Sequence, residues 1–592
     1  MSGWRVAAVH EWIAHDPFGR PKDGDLGAGV ALGTVMADRV RLRAARGAYA
    51  SFRVLVQGSG AYRLAAVVAG IEVDLAKAWY HRLAGDVRRW LPDALVPIAS
   101  GASCVLPDPD NAIPGQTTQE FWVDLWVPRD APRGARTGRI TLDAGGASQA
   151  IPVTVEVLDI ELPAEPTVVM DKNAYGCRWL ERQYPRAYAG LTGDARWARL
   201  TSDLHNVHRL FHEHRGCFHH LGHGHSGAFD PIYGPRAVGA GRDRRLEGWE
   251  KFDALYGPLL DGSCFATAGP GQPRARRGAT PVWGIYSPLN PDWPARYVNW
   301  GEEGYRVEFR RCIAEFDRHL RDQGWTGTKI EFFLNHKKRY RWFGWDGDET
   351  KYAKDDAYHL EIARLFHAVV KGSPVRWSYR MDASWRQGEQ LEALAGSVDF
   401  WVCNDWLSWY REAAMRAVAR GETVFTYGGT PSIAAPSCDA LQPVYLAWAR
   451  SLSGYLPWLS IAPGDDPWFA SDGGGTASIY PGERFGVDGP IASIRLKIER
   501  NGVQDIDLMS LRAGDRADAL RAELEPTIPI RVWKEPATVA RVLDPADWDS
   551  FNLEVGHEPG SNALDRTDPA WFSAIRSYAT GGSGHERHPP RR

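Results

Sequence analysis

The chain has 592 residues, of which 44% are hydrophobic, 24% charged and 11% aromatic, and its formal net charge is -3. That length allows two to four domains at about 150 residues each, although one barrel can absorb about 250 or more. The near-balanced charge argues against a phosphate-neutralising surface, so nucleic acid is not expected as a main partner. No run reaches the ~18 apolar residues of a membrane span. The seven cysteines are an odd number without a CxxC pair, which excludes a zinc ribbon and a thioredoxin-type motif and reads as reduced, buried thiols. The opening stretch MSGWRVAAVHEWIAHDPFGRPKDG lacks the charged start and apolar core of a signal peptide, so a cytoplasmic location is expected. A chain whose leader had been exchanged for Met would read the same and would be secreted or periplasmic. The 26 tryptophans admit two readings: flat platforms for sugar rings, or filling for two large cores and their seam.

Residues 1–165 are predicted to form an antiparallel β-sandwich. SFRVLV (51–56), FWVDLWV (121–127), GRITLDA (138–144) and IPVTVEVLDIEL (151–162) are short runs rich in β-branched and aromatic residues, separated by Pro/Gly turns. In the second, Phe121, Val123, Leu125 and Val127 alternate with Trp122, Asp124 and Trp126, the period of a half-buried strand. Leu162-Pro163-Ala164-Glu165-Pro166 then makes a stiff exit.

From 166 to about 515 the rhythm becomes strand, loop, helix. TVVMDKNAYG (167–176) begins it. Tyr305, Phe309, Ile313, Phe316 and Leu320 mark one face of a helix closed by Gly324. The strands KIEFFL (329–334), VRWSYRMD (375–382), SVDFWVCND (397–405), ETVFTYGG (422–429) and GYLPWLSIA (454–462) follow, with helices at 355–370, around 409–420 and at 439–452 between them. So many βα units predict a closed (β/α)8 TIM-like barrel, with a further helix at 493–513 packed against it. No GxGxxG follows the first strand, which counts against dinucleotide binding. Residues 516–592 form a C-terminal extension: one more helix-like stretch, then Pro/Gly-rich polar sequence and a mobile tail.

Barrel enzymes carry their chemistry on the loops that follow their strands. Here those ends supply the polar residues Asp171, Lys172, Asn173 and Tyr175 on the first strand, and Asn335, Tyr379, Asp382, Asn404, Asp405 and Tyr427 are the candidate substrate contacts. Trp345, Trp385, Trp406 and Trp458 are candidate stacking surfaces. Carboxylates, amides and aromatics on one rim suit a carbohydrate, whose hydroxyls need donors and acceptors and whose C–H faces need flat apolar partners. The sharpest feature is Trp345-Asp346-Gly347-Asp348-Glu349, where three carboxylates fall within four residues. Mutual repulsion would keep one protonated as a general acid; the same run also reads as a solvated acidic turn ahead of the next helix. A second constellation, His205 to His225, holds eight of the 18 histidines. His208 and His212 would share a helix face, which opens a metal site, yet HExxH is absent. FHEHRG reads instead as the end of a second barrel strand, with His219, His220, His223 and His225 in the loop beyond it.

The segments AARGAYASFRVLV, RRWLPDALVPIA, FWVDLWVPRDAPRGARTGRITL, the βα region with its DGDE, and ASIYPGERFGVDGPIASIRLKIERNGVQDIDLMSL together resemble glycoside hydrolase family 123 and its relatives, over most of residues 40–515. The resemblance implies a sandwich followed by a barrel. It also implies exo-β-N-acetylgalactosaminidase activity by substrate-assisted retention, with no metal or other cofactor and with an oligosaccharide or glycoconjugate as substrate. An adjacent Asp-Glu pair carries catalysis in that family, and the matching residues are Asp348 and Glu349. Asp348 would orient the 2-acetamido N–H, while Glu349 would protonate the leaving oxygen and then activate water. Relatives commonly have Pro after the pair, where Thr350 stands here, and the loop NHKKRYRWFGWDG is long and basic. Lys337, Lys338 and Arg339 would suit a sulfate, uronate or other acidic substituent, although such a run is more often a solvated loop.

Three other readings stay open. A glycosidase for sugars without the acetamido group would need a second rim carboxylate, with Asp382 or Asp405 as candidates. A non-catalytic carbohydrate-binding protein would keep its binding without Glu349. A metal-dependent hydrolase would use the histidine cluster. Sugar identity, linkage, exo or endo action and homo-oligomer formation are left open.

Overall fold

The computed structural model describes residues 3–31, 37–83, 89–221, 233–271, 275–287, 305–335, 345–461, 466–469, 477–534 and 567–581. Lys337, Lys338, Arg339, His223, His225 and the tail beyond 581 lie outside the described residues.

Ten strands form the N-terminal sandwich: β1 (Arg5–Val9), β2 (Val40–Arg46), β3 (Tyr49–Gln57), β4 (Gly60–Val68), β5 (Glu72–Arg82), β6 (Trp90–Ile98), β7 (Ser103–Leu106), β8 (Thr118–Trp126), β9 (Gly134–Ala144) and β10 (Ala147–Glu161). One sheet runs β1-β3-β8-β5-β6 and the other β2-β10-β9-β4-β7. Every pairing between these strands is antiparallel except β2 with β10. In β10 the expected alternation holds: Ile151, Val153, Val155 and Val157 are buried between the sheets while their neighbours face out. β8 departs from it, because both of its faces are covered. Phe121, Val123 and Leu125 enter the sandwich core, and Trp122 and Asp124 are equally buried against the second domain.

The second domain is an eight-stranded parallel barrel. Its strands are β11 (Val169–Tyr175), β12 (Gly216–Leu221), β15 (Gly284–Tyr286), β16 (Lys329–Phe333), β17 (Arg376–Ala383), β18 (Phe400–Asn404), β19 (Thr423–Gly428) and β20 (Gly454–Pro457). The short hairpin of β13 (Arg236–Val238) and β14 (Arg245–Glu247) lies in the connection after β12. Hydrogen bonding follows the order β12-β11-β20-β19-β18-β17-β16-β15, and β12 and β15 lie side by side at the remaining seam. Helices at Gly193–Glu213, Glu250–Leu260, Tyr305–Asp322, Asp356–Val370, Gln387–Ala393, Arg411–Ala419 and Gln442–Ala449 return the chain between strands, and Ile494–Ala513 follows the last of them. The Tyr305–Asp322 helix buries Phe309, Ile313, Phe316 and Leu320, and the chain turns at Gly324, whose φ of +76° suits a residue without Cβ. FHEHRG ends a helix rather than a strand: Gly193–Glu213 closes there and β12 begins afterwards, so His219 lies within the sheet, not in a loop.

The domains meet through buried charge. Arg500 and Lys497, on a helix capped by Ser493, grip Asp124 of β8, and Arg495 grips Asp93 of β6 at 2.8 Å. Burial alone would raise the Asp124 carboxyl, but the two cations hold it well below the usual carboxylate range. A C-terminal helix, Pro569–Ala579, also joins the seam, burying Trp571, Phe572 and Ile575 and placing Arg576 2.9 Å from Asp505. The helix falls within the extension expected to be polar, and its apolar face is buried in the seam. β21 (Ile479–Pro481) and β22 (Pro490–Ala492) form a further hairpin between the two domains, where Tyr480 donates to Asp93 at 2.6 Å. Most of the tryptophans the structure describes serve these cores; Trp12, Trp79, Trp122, Trp345, Trp401 and Trp406 are among the largest fully buried side chains. All seven cysteines are free thiols.

Candidate active site

Side chains along a barrel strand alternate between the lumen and the surrounding helices. In β17 the lumen takes Arg380 and Asp382, while Tyr379, Met381 and Ala383 point to the helices. Arg380 lies over the rings of Tyr286 and Phe333, 4.7 and 4.9 Å from their centroids, whereas Tyr379 packs on Phe332 and Phe366. This parity decides which of the strand-end residues reach the mouth.

The lumen is crossed by a line of charges. Asp171 of β11 accepts from His219 Nδ1 of β12; His219 Nε2 is 3.1 Å from Glu331 of β16; Arg380 Nη1 donates to Glu331 at 2.9 Å. Arg380 also takes both oxygens of Asp382, through Nε at 2.7 Å and Nη2 at 3.1 Å. Burial pushes His219 toward neutrality, but Asp171 and Glu331 outweigh it and raise its pKa to about 10, so it is an imidazolium at neutral pH. Asp171, Cys217 and His219 offer an oxygen, a sulfur and a nitrogen within 4.8 Å of one another. Cys217 donates to the same Asp171 oxygen that His219 engages, while the other Asp171 oxygen is buried without a hydrogen-bond partner.

At the C-terminal mouth stands Glu349. Its φ of +49° lies in the left-handed region, which costs a non-glycine residue on the order of 1–3 kcal/mol. Three contacts hold it there. Its N–H donates to the Asp382 carbonyl at 3.1 Å, and its Oε1 accepts from Ser384 Oγ and from Tyr427 Oη. Ser384 and Tyr427 also hydrogen-bond to each other, closing a triangle of three oxygens. Burial and the charge of Glu349 push the Tyr427 hydroxyl well above the ordinary phenol range, so it stays a donor. Asp348 is buried beside Glu349, and its charge also acts on Tyr427. The structure thus brings together Asp348, Glu349, Asp382 and Tyr427. Ser384 escaped the sequence reading; the only signal was its position two residues past Asp382, on the same face.

The loop carrying the pair is anchored from behind. Trp345 is fully buried and stacks on Tyr358 at 4.8 Å, which makes it an anchor and not a platform for a sugar. Thr350 donates to the Asp346 carbonyl at 3.0 Å, so His359 Nε2–H donates to Thr350 and His359 Nδ1 accepts from Tyr379, each at 2.9 Å. Burial lowers the His359 pKa to about 4, consistent with this neutral tautomer. Thr350 therefore tethers the loop to the helix behind it. Tyr379, with 0% exposure, completes that tether on the outer side of the barrel and lies away from the mouth.

The remaining candidates divide. Asn335 is buried just past β16. Asn404 is buried too, accepting from Gln387 and from the Trp406 N–H as the cap of a 3-10 turn. Asp405 points outward and pairs with Arg450 at 2.8 Å and Lys534 at 3.4 Å, so it supplies no carboxylate to the mouth. Trp385 and Trp406 pack edge-on against each other at 5.8 Å and are both buried. Trp458 is the exposed one, at 37%, one residue past β20, with its N–H on the Gly428 carbonyl. In the histidine cluster, His208 packs on Phe218, while His212 bonds Thr280 at 2.9 Å and stacks on Phe265. Those two rings serve different neighbours instead of one ion.

No protein-family model and no curated protein matches the sequence. Among solved structures, the chain is similar to a family 123 glycoside hydrolase from Clostridium perfringens, described for glycolipid glycan hydrolysis: the match has a TM-score of 0.59 at 13% identity and covers 88% of this chain and 91% of that one. A xylanase 10B from Clostridium thermocellum matches at a TM-score of 0.32 and 10% identity, over 85% of this chain and 93% of its own, too distant to bear on this one. The sandwich followed by a (β/α)8 barrel is thus the architecture of the family 123 enzyme, shared over nearly the full length of both chains.

Proposed function

We propose that the protein is a glycoside hydrolase, a retaining exo-β-N-acetylhexosaminidase of the GalNAc type that uses the substrate's own acetamido group as nucleophile. The observation that carries this reading is the pairing of Asp348 and Glu349 at the barrel mouth while Asp382, the lumen-facing carboxylate near the end of β17, is tied through both oxygens to a buried arginine. A retaining enzyme with a protein nucleophile needs a second carboxylate about 5 Å from the acid. Asp382 is a poor nucleophile, because attack would strip its charge from Arg380, and Asp405 faces away. The 2-acetamido carbonyl then attacks the anomeric carbon, Asp348 holds the acetamido N–H, and Glu349 protonates the departing oxygen. In the second half, Glu349 takes a proton from the water that opens the oxazolinium ring.

The test is hydrolysis of aryl β-GalNAc, β-GlcNAc and the matching sugars without the acetamido group, by wild type and Glu349→Gln. Turnover confined to acetamido sugars and lost in the variant is the expected result. Turnover of plain sugars would move the nucleophile to a protein carboxylate. Silence on every glycoside, with sugar binding retained by calorimetry, would mark a binding protein.

A further inference from the structure

Barrel lumens are ordinarily filled by branched apolar residues, which pack without desolvation cost. This lumen instead holds Asp171, His219, Glu331 and Arg380, all buried, leading to Asp382 at the mouth. Replacing buried ion pairs by apolar residues is often neutral or stabilising, so stability alone is a weak reason for such a column. Its geometry supplies a better one. The guanidinium fixes Asp382 by a two-pronged grip, and the carbonyl of that same residue receives the N–H of Glu349. The other end of the guanidinium is moored to Glu331, which His219 and Asp171 back in turn.

We infer that Arg380 is the positioning residue of the Asp348–Glu349 pair, holding the end of β17 in register so that Glu349 keeps its left-handed backbone, and balancing the lumen's negative charge beneath it. This rests on the hydrolase reading above. Around Arg380 stand Tyr286 from β15, Glu331 from β16 and Asp382 from its own strand; Lys329, at the start of β16, acts on Glu331, and Cys217, His219 and Asp171 lie behind Glu331. Around Glu349 stand Asp348 from its own loop, Ser384 beyond β17 and Tyr427 from β19. The column itself, Asp171, His219, Glu331, Arg380 and Asp382, has three carboxylates and two cations and is formally negative, and Lys329 adds a third cation beside Glu331 at the start of β16. Losing Arg380 makes the column more negative and raises the pH at which Glu349 gives up its proton. Losing the Asp382 charge does the opposite.

Arg380→Met is expected to lower kcat by about 100-fold, the scale of lost acid–base assistance, with KM within about threefold, and to move both limbs of the pH profile upward. Asp382→Asn, which leaves the Arg380–Glu331 pair in place, moves them downward. Arg380→Lys returns the profile to the wild-type position but only part of kcat, because an ammonium keeps the charge and lacks the fork. Losses of kcat with an unmoved profile in both charge variants would overturn the inference and leave Arg380 a merely structural residue. A crystal structure of Arg380→Met, or of Asp382→Ala should the former misfold, decides the positioning without any substrate. The hydrogen bond from Glu349 N–H to the carbonyl at 382 should be broken; an unchanged Glu349 backbone would contradict the proposal. A wild type silent on every glycoside would remove the hydrolase reading, while the crystal structure would still show whether Arg380 holds the Glu349 backbone in place.

Discussion

Asp382 and Asp405 stand at the ends of neighbouring barrel strands, and Tyr427 and Tyr379 lie on strands of the same wall, yet the members of each pair have opposite surroundings. Asp382 and Tyr427 face the lumen and meet around Glu349, one through its carbonyl and the other through its hydroxyl. Asp405 is tied to Arg450 and Lys534 outside the barrel, and Tyr379 is sealed between sheet and helix on His359. Nearness to a strand end is therefore insufficient in a barrel: the parity of the residue along its strand decides whether it serves chemistry or support.

The inward residues around Glu349 should govern turnover; the outward set, and the buried His219 of the lumen column, should govern stability. The largest effect is expected from Glu349→Gln, which removes the proton donor and should cut kcat on an aryl β-N-acetylhexosaminide by about 100- to 10,000-fold, with the urea midpoint nearly unchanged. Next comes His219. Its folded pKa of about 10 exceeds the ordinary 6.5, so its stabilising contribution is fully present below pH 6.5 and fades as pH rises through 10. The stability difference between wild type and His219→Gln should accordingly shrink, by a few kcal/mol in order of magnitude, in urea titrations between pH 6.5 and 10; a constant difference would contradict the buried imidazolium.

The tyrosines offer the cleanest contrast. Tyr427→Phe withdraws a donor from Glu349 and should cost about tenfold in kcat, whereas Tyr379→Phe should leave kcat within about twofold and lose about 1 kcal/mol of stability, the net worth of one buried hydrogen bond. Equal kinetic losses in the two would break the parity rule. Asp405→Asn belongs with Tyr379: unfolding should come about 1–3 kcal/mol earlier, because the buried Arg450 loses its charged partner, and kcat/KM should hold. The smallest effect is expected at the exposed Trp458, where Ala should raise KM a few-fold without touching kcat, as for a ring that contributes only stacking.

The βα rhythm of the barrel was legible where a strand is a short apolar run, as in KIEFF and FWVCN, and where a helix shows an apolar stripe, as in Tyr305–Asp322. The three-residue β15, GIY, is too short to carry any period, and the strand EVDLAKAWYHR mixes charge with alanine because it pairs deep in a sheet whose outer face is sealed by the barrel. That same seal turned the half-buried alternation expected of β8 into burial on both faces. The acidic run was visible as a cluster of carboxylates, but its supports were not. Arg380 and Ser384 lie on and just past β17, Glu331 on β16, His219 on β12 and Asp171 on β11, and only barrel closure brings those strands together. Trp345, Trp385 and Trp406 look like platforms in sequence, since an indole is equally suited to stack on a sugar or to fill a core; burial alone separates the two uses.

The proposed chemistry turns on the substrate's acetamido oxygen acting as nucleophile. The decisive experiment is to compare kcat/KM for aryl β-GalNAc carrying N-acetyl, N-fluoroacetyl, N-difluoroacetyl and N-trifluoroacetyl groups. Each fluorine drains electron density from the carbonyl oxygen, so kcat/KM should fall steeply and stepwise across the series. A flat series, with the trifluoroacetyl sugar cleaved as readily as the acetyl one, would contradict that role and return the nucleophile to the protein.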